Sequence, residues 1–581
     1  MSKLLTKFKR NAIDEIINSL DNKKVSGATI TTSGSGYSNS SNDSVKTIVS
    51  TLGGTTFRVT ANNTGNATAI SLLSAGVYNS NVAANNVATI NTTGNGTGLT
   101  INVSFTDENS YYVFVGGQSE YPTSDTPLEV DSTETTYTTW NELMFGKKAN
   151  FARMTDKYVW TSNTVYTQYD DTVDLSDENF FVVTSTRDVF KCIYNNNGAP
   201  STTEPTKRAL RIGVPVEETD GYEWLYLYTI DKSDYTKFTT ANYIPVVANT
   251  LIANAAIDGS IFNIVVEDGG EDYPYHSGNV LFSNTSTIKL ETGANSTINY
   301  YKDSSIAVIN TVTGNTYVRK ILSSNSTLWV TTESFPNSFL SNTDCEYVIG
   351  PTVSVTSNTG SGIVAYSVVD TGVVDKIQIV EYGTGYKDAA VLITAGSGLG
   401  TGALGRVIIS PLGGHGSDVY DELYVDSLGV QSLFDEWGSS NNEFNADVTY
   451  RTVGIIKNPT YANGTAYTSN TFNELATINI TSTGATGTFT YGELVKGTAS
   501  NNFGRFAYAN SSVVLLTGTN GTFVIDEELV GAESLARRTV TANSTAVDLK
   551  LYSGEILYVQ NIQEVTRSPS NKEQVKLVIS F

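Results

Sequence analysis

Gly221-Tyr222-Glu223-Trp224-Leu225-Tyr226-Leu227-Tyr228-Thr229-Ile230 places a large apolar side chain at nearly every position. In an extended chain successive side chains point to opposite faces, so Trp224, Tyr226, Tyr228 and Ile230 share one face and Leu225 and Leu227 the other. A strand that is apolar on both faces is expected between two layers, as a central strand. At the far end of the chain Val575, Leu577, Ile579 and Phe581 alternate with Gln574, Lys576 and Ser580, the period of a half-buried strand with one wet face. Phe581 on the apolar side of that strand is expected to pin the chain end into a sheet.

Composition agrees with these two stretches. The chain has 581 residues, too many for one ordinary core, so three or more domains are expected. Apolar residues make up 39% and charged residues 16%, with only 12 Pro, while Thr, Asn, Ser, Gly, Val and Tyr abound. β-Branched and aromatic side chains suit strands, and Asn and Gly supply left-handed turn positions. The 33 Tyr and 22 Phe are more aromatic surface than a solvated, disordered chain carries.

A formal net charge of −22 argues against a nucleic-acid-binding surface, which needs clustered Lys and Arg. The one basic cluster, Lys3, Lys7, Lys9, Arg10, Lys23 and Lys24, reads as the polar face of a short helix. Cys192 and Cys345 are too few for a disulfide framework, consistent with a protein made and used in a cytoplasm. Lys7, Lys9, Arg10, Asp14 and Glu15 interrupt any signal-peptide core, and no run of 18 apolar residues occurs, so neither secretion nor membrane insertion is expected.

Residues 3–20 form the clearest helix, with Leu5, Phe8, Ala12, Ile13, Ile16, Ile17 and Leu20 at helical spacing on one side and Lys9, Arg10, Asp14, Glu15 and Asn18 on the other. Its apolar stripe packs on its own domain or on a partner, and Asn22 and Gly27 are expected to end it. Beyond it an alternating strand followed by a glycine turn and a Tyr recurs: 28–37, 69–78, 264–273 and 377–386, ending at Tyr37, Tyr78, Tyr273 and Tyr386. Glycines make the tight turn, and the Tyr can fold back over the strand end. A second repeat pairs 487–497 with 521–531, Gly-Thr-Phe at the head of each and Glu493 matching Glu527. Two copies are too few for a solenoid and suggest a compact β-barrel-like module over 461–545.

Residues that could carry chemistry are sparse. Only His276 and His415 are present, leaving little for metal sites or catalytic triads. His415, in Leu412-Gly413-Gly414-His415-Gly416-Ser417-Asp418, could serve a catalytic or metal role, or sit in a turn where Ser417 or Asp418 caps a helix carrying Asp421 and Glu422. Glu267, Asp268, Glu271 and Asp272 around Gly269-Gly270 could hold a hard cation, but match no EF-hand spacing and read instead as an exposed acidic turn. Gly396-Ser397-Gly398-Leu399-Gly400-Thr401-Gly402 lacks the Lys-Ser/Thr of a phosphate loop and reads as a hairpin turn. No residue is singled out as catalytic, cofactor-binding or metal-ligating, and no cofactor is called for.

Further marks lie between the two quoted strands: Tyr111-Tyr112-Val113-Phe114-Val115-Gly116-Gly117-Gln118-Ser119-Glu120, Arg451-Thr452-Val453-Gly454-Ile455-Ile456-Lys457-Asn458-Pro459, and Gly554-Glu555-Ile556-Leu557-Tyr558. With the amphipathic opening around Phe8, Lys9 and Arg10, their order resembles the dimeric baseplate wedge subunit of T-even-like contractile-tailed phages, the gene-product-eight family. In that family a Gly-Tyr-x-Trp-x-Tyr-Leu strand ends the first large domain, a strand closes on Ile-Ile-x-Asn-Pro, and the chain finishes on Gly-Glu-x-Ile-Tyr, a loop and an alternating strand ending in Phe. The resemblance covers about residues 1–24, 110–250, 418–460 and 546–581, under half of the chain.

What the resemblance implies is a mainly β, multidomain protein with a β-sandwich-like core, a short N-terminal amphipathic helix and inserted small β-modules. The core would be 1–24, 110–250, 418–460 and 546–581; the insertions would be 25–109, 251–417 and 461–545. It further implies a non-enzymatic homodimer in the virion's tail baseplate, assembled in the host bacterial cytoplasm, touching other wedge proteins and tail-fibre attachment proteins. Two other readings stay open. Tyr- and Asn-rich loops would suit a trimeric tail fibre or spike adhesin that binds host carbohydrate, and a glycan-degrading enzyme would need a carboxylate pair that nothing in the sequence picks out.

Overall fold

The computed structural model describes residues 3–39, 43–47, 55–79, 85–117, 133–208, 212–336, 344–435, 444, 447–568 and 570–581. It is mainly β: thirty-nine strands and five α-helices are found among the described residues, in many separate sheets. The chain divides into two units, Met1–Lys7 with Arg153–Asp426, and Phe8–Ala152 with Ser427–Phe581.

The N-terminal helix runs Lys3–Asp21. Ile13 is fully buried, Glu15 and Asn18 are exposed, and Arg10 pairs with Asp14 one turn on, at 3.5 Å. The side chains of Leu5 and Phe8 lie outside the described residues. Asn22 opens the strand Asn22–Ser35 directly after the helix, while Gly27 lies inside that strand at a register shift and ends nothing. The register shift leaves Ser26 as the extra residue of a bulge, with Gly27 paired to Ser104 and so no helix stop.

In the second unit the strand Tyr111–Gly116 is buried along its whole length. It lies in a five-stranded sheet ordered Thr471–Asn473, Leu143–Lys148, Tyr111–Gly116, Thr449–Lys457, Glu555–Thr566. Tyr112, Phe114, Trp140, Leu143, Ile456 and Phe472 fill one side of it. Phe145 of the same sheet meets Phe434, from the pair Ser427–Phe434 and Glu573–Ser580, edge-on at 5.5 Å and stacks on Phe444 at 5.0 Å, giving a β-sandwich-like core. The closing strand is half-buried but does not alternate, Lys576 and Val578 being as partly covered as Val575, Leu577 and Ile579, and Phe581 is 38% exposed and does not pin the chain end. The strand pairs on one side only among the described residues.

In the first unit Glu223–Thr229 is an internal strand of a four-stranded sheet ordered Phe181–Val183, Asp188–Tyr194, Glu223–Thr229, Val216–Glu217. Trp224 joins Tyr166, Val182, Phe190, Cys192 and Tyr222 in one cluster, with Tyr226 packed against it. The strict alternation breaks after Tyr226. Val189 faces Tyr228 and Phe190 faces Tyr226, so Leu227 is an extra residue in the ladder, and the Tyr228 hydroxyl donates instead to the Pro245 carbonyl.

The strand-turn-Tyr repeats fold into modules. Residues 261–409 contain two copies of one pattern, the first interrupted by a seven-stranded sheet spanning His276–Gly350 with its own core. Ile261–Asp268 of the first copy pairs with Leu404–Ile409 of the second, Ser361–Asp370 with Val373–Thr384, and Thr352–Thr356 with Ala390–Thr394. Every pairing therefore joins one copy to the other. Residues 22–107 form another seven-stranded sheet, and Ala476–Val540 closes into a six-stranded barrel.

Candidate functional site

The glycine turns decide where the tyrosines go. Tyr273 is buried against Gly400, Tyr386 against Gly360 and Tyr37 against Gly96; a Cβ on any of these three glycines would overlap the ring. The hydroxyl of Tyr273 accepts the Ala403 N–H at 3.0 Å and that of Tyr386 the Ile363 N–H at 3.5 Å, each three residues after the seat glycine. Gly270 and Gly383, three residues before their tyrosines, both have φ of +62° and both abut the opposite copy's backbone. Thus 396–402 is not a hairpin turn: the strands on either side of it do not pair with each other, and it forms the seat for Tyr273. Tyr78, the remaining repeat position, is buried as well, but lies against Gly76 of its own turn, with its hydroxyl bonded to that of Thr55.

The barrel carries a second reciprocal arrangement. Glu527 accepts hydrogen bonds from the Ala499 and Ser500 N–H groups and the Ser500 hydroxyl at 2.9–3.0 Å, all in the other copy, and from its own copy's Val524 N–H. Glu493 does the same with Glu533, Ser534 and its own Thr490. Burial opposes the charge of both carboxyls, but these donors outweigh it and hold both below the usual range. Lys496 pairs with Val530, its counterpart in the other copy, so a pseudo-two-fold axis passes between them.

The first unit holds a cleft of about 760 Å³. Tyr317 and Arg319 line one wall, Tyr366, Gln378 and Glu381 another, and Glu217 an end. Several of its charges are held by neighbours outside the lining: Lys376 bonds Glu223 at 2.7 Å and approaches Glu217 at 3.6 Å, Arg208 bonds Glu218 at 2.7 Å, and Arg319 donates to the Ser334 carbonyl. Such a surface can recognise a polar partner, but no nucleophile and base face each other across it.

The predicted chemistry-bearing residues are scattered. His276 Nδ1 is 2.7 Å from the Tyr347 hydroxyl and the rings stack. Glu267, paired with Arg406, which also grips Asp170, and Asp268, which accepts the Gly270 N–H, close the strand Ile261–Asp268 and lead into the glycine turn. No group of three or more His, Cys, Asp or Glu is placed to hold a metal ion among the described residues. Cys192 and Cys345 are both buried, and no disulfide joins them. Asp418 caps the helix Val419–Glu422 by accepting the Tyr420 and Asp421 N–H groups.

His415 sits 2% exposed, stacked on Phe262 at 4.8 Å and edge-on to Tyr169 at 4.8 Å. Beside it Lys191, from the strand Asp188–Tyr194, forms a fully buried ion pair with Glu422. The Gly416 N–H donates to the other oxygen of Glu422. Burial holds His415 well below its usual range, with the Lys191 charge adding to it. Sequence reading finds neither Lys191 nor its partnership with Glu422, because no local spacing joins residues 231 positions apart. No protein-family model matches the chain, and no curated protein matches it.

Proposed function

We propose that the chain is a structural subunit of a contractile phage tail baseplate, a wedge protein that forms a homodimer, assembles with the other wedge proteins and takes part in the baseplate's rearrangement on infection. The observation that carries this reading is one line of neighbours in the five-stranded sheet. Val113, Ile455 and Tyr558 lie side by side, and they come from three separate motifs on which the resemblance rests. Segments hundreds of residues apart in sequence thus form one sheet, with the modules of 261–409 and 476–540 arising between them in the chain. The Gln118-Ser119-Glu120 end of the first motif lies outside the described residues.

Two further features support a role in assembly. Leu557, in the edge strand Glu555–Thr566, is 45% exposed, and the edge strand Glu573–Ser580 keeps Val575, Leu577 and Ile579 only half-covered. Sheet edges of this kind are covered in assembled proteins. In the cleft Glu217, Glu223 and Arg208 are held in ion pairs by residues behind the lining, which also suits recognition over turnover.

Sedimentation equilibrium over a range of concentrations tests the reading. A species at twice the 62.4 kDa chain mass is expected. A species at three times that mass would replace this reading with the trimeric fibre or spike adhesin.

A further inference from the structure

The buried group around Lys191 is assembled as a reaction centre would be. Lys191 Nζ lies against Glu422 Oε2 with no solvent exposure on its side chain. Oε1 of the same carboxyl accepts the Gly416 N–H. His415 Nδ1, which has no hydrogen-bond partner, stands 4.0 Å from Oε2. The rings of Tyr169 and Phe262 close off the site, Tyr169 with its face 4.5 Å from Nζ and Phe262 stacked on His415. A nucleophile, an electrophilic carbon, a donor on the oxygen that would become an oxyanion and a free base beside the leaving oxygen therefore meet in one dry pocket.

We propose that Lys191 and Glu422 condense to an intramolecular isopeptide bond, joining Lys191 Nζ to Glu422 Cδ. The ion pair first passes a proton from Nζ to Oε2, leaving an amine and a carboxylic acid. The amine lone pair then forms the N–C bond while Gly416 holds Oε1. The C–Oε2 bond breaks, and Oε2 leaves as water with its own proton and one from the amine, carried across by His415 Nδ1. The second amine proton stays on the amide, and nothing is oxidised or reduced.

Two effects compete over the first step. The Tyr169 ring face favours the ammonium form. Desolvation of two unit charges favours the neutral pair, and a fully buried ion pair regains that cost only with excellent geometry and every lone pair satisfied. Burial pulls the Lys191 amine down and pushes the Glu422 carboxyl up, each against the attraction of its partner, so the site leans toward the reactive forms. The product would tie the strand Asp188–Tyr194 to the helix Val419–Glu422 across 231 positions of chain, a covalent staple suited to a protein that bears load.

Intact-mass spectrometry of the denatured full-length chain, followed by tryptic mapping, tests this. The expected mass is one water below that of the sequence, with a branched peptide carrying Lys191 and Glu422 and no cleavage after Lys191. Lys191→Met should restore the full sequence mass. His415→Phe, which keeps an aromatic ring in the stack, should slow cross-linking by about a hundredfold or more. Wild-type chain at the full sequence mass, with both peptides recovered linear, would overturn the proposal; unchanged cross-linking in His415→Phe would overturn the role of His415.

Discussion

The two-copy module of residues 261–409 and the barrel of 476–540 are both held by groups that reach from one copy into the other, but with opposite chemistry. In the first, a tyrosine ring lies on a bare glycine of the other copy. In the second, a buried glutamate gathers the N–H groups of the other copy's turn. The ring contact rests on dispersion and apolar burial, which do not depend on protonation. The carboxylate contact rests on charge-assisted hydrogen bonds, stronger one by one but dependent on an ionised group. Duplication within a small β-module thus leaves the choice of fastening open, and that choice sets what condition undoes it.

The largest expected effect breaks the barrel side. Glu527→Gln removes the charge and turns a donor toward N–H groups that are already donors, and should cost the barrel about 3 kcal/mol. Glu493→Gln should match it by symmetry, and thermal unfolding followed by limited proteolysis of residues 476–540 reads both. Acid should separate the two modules without any mutation. Both folded-state carboxyls lie below the unfolded range, so the unfolded chain takes up protons first as pH falls. Their contribution is complete above the unfolded glutamate range and is lost as pH drops through the folded value. Pepsin cleavage mapped across an acid series should therefore enter 476–540 before 261–409.

A smaller effect sharpens the tyrosine side. Gly360→Ala puts a methyl into the Tyr386 ring at a glycine that needs no left-handed backbone, so overpacking alone acts, at about 2 kcal/mol. Losing a hydroxyl should matter less. Tyr273→Phe removes a 3.0 Å hydrogen bond and Tyr386→Phe a 3.5 Å one. The first is expected to cost about 1 kcal/mol and the second less, as judged by urea unfolding.

Sequence alone discloses the ingredients of both fastenings and neither arrangement. The mainly β, multidomain character, the N-terminal helix with Ile13 inward and the recurring Tyr and Glu positions are all legible, because each is a local pattern of spacing and residue type. That Tyr273 sits on Gly400 is not, since the seat is supplied by strands that meet only when the module closes. The glycine run of 396–402 therefore reads as a hairpin. Leu227 shows the same limit at smaller scale: a bulge breaks the alternation, and it depends on the partner strand Asp188–Tyr194. Lys191 carries no sequence signal at all, being a lysine in an otherwise apolar strand whose partner comes from the far end of the unit.

Hydrogen exchange of full-length Glu527→Gln against wild type tests the reciprocal fastening most directly. Glu527 belongs to the second copy, yet the amides it accepts at Ala499 and Ser500 belong to the first. Peptides covering 498–502 are expected to lose protection together with the amide of Val524. Unchanged protection at 498–502, with loss confined to 521–531, would contradict it.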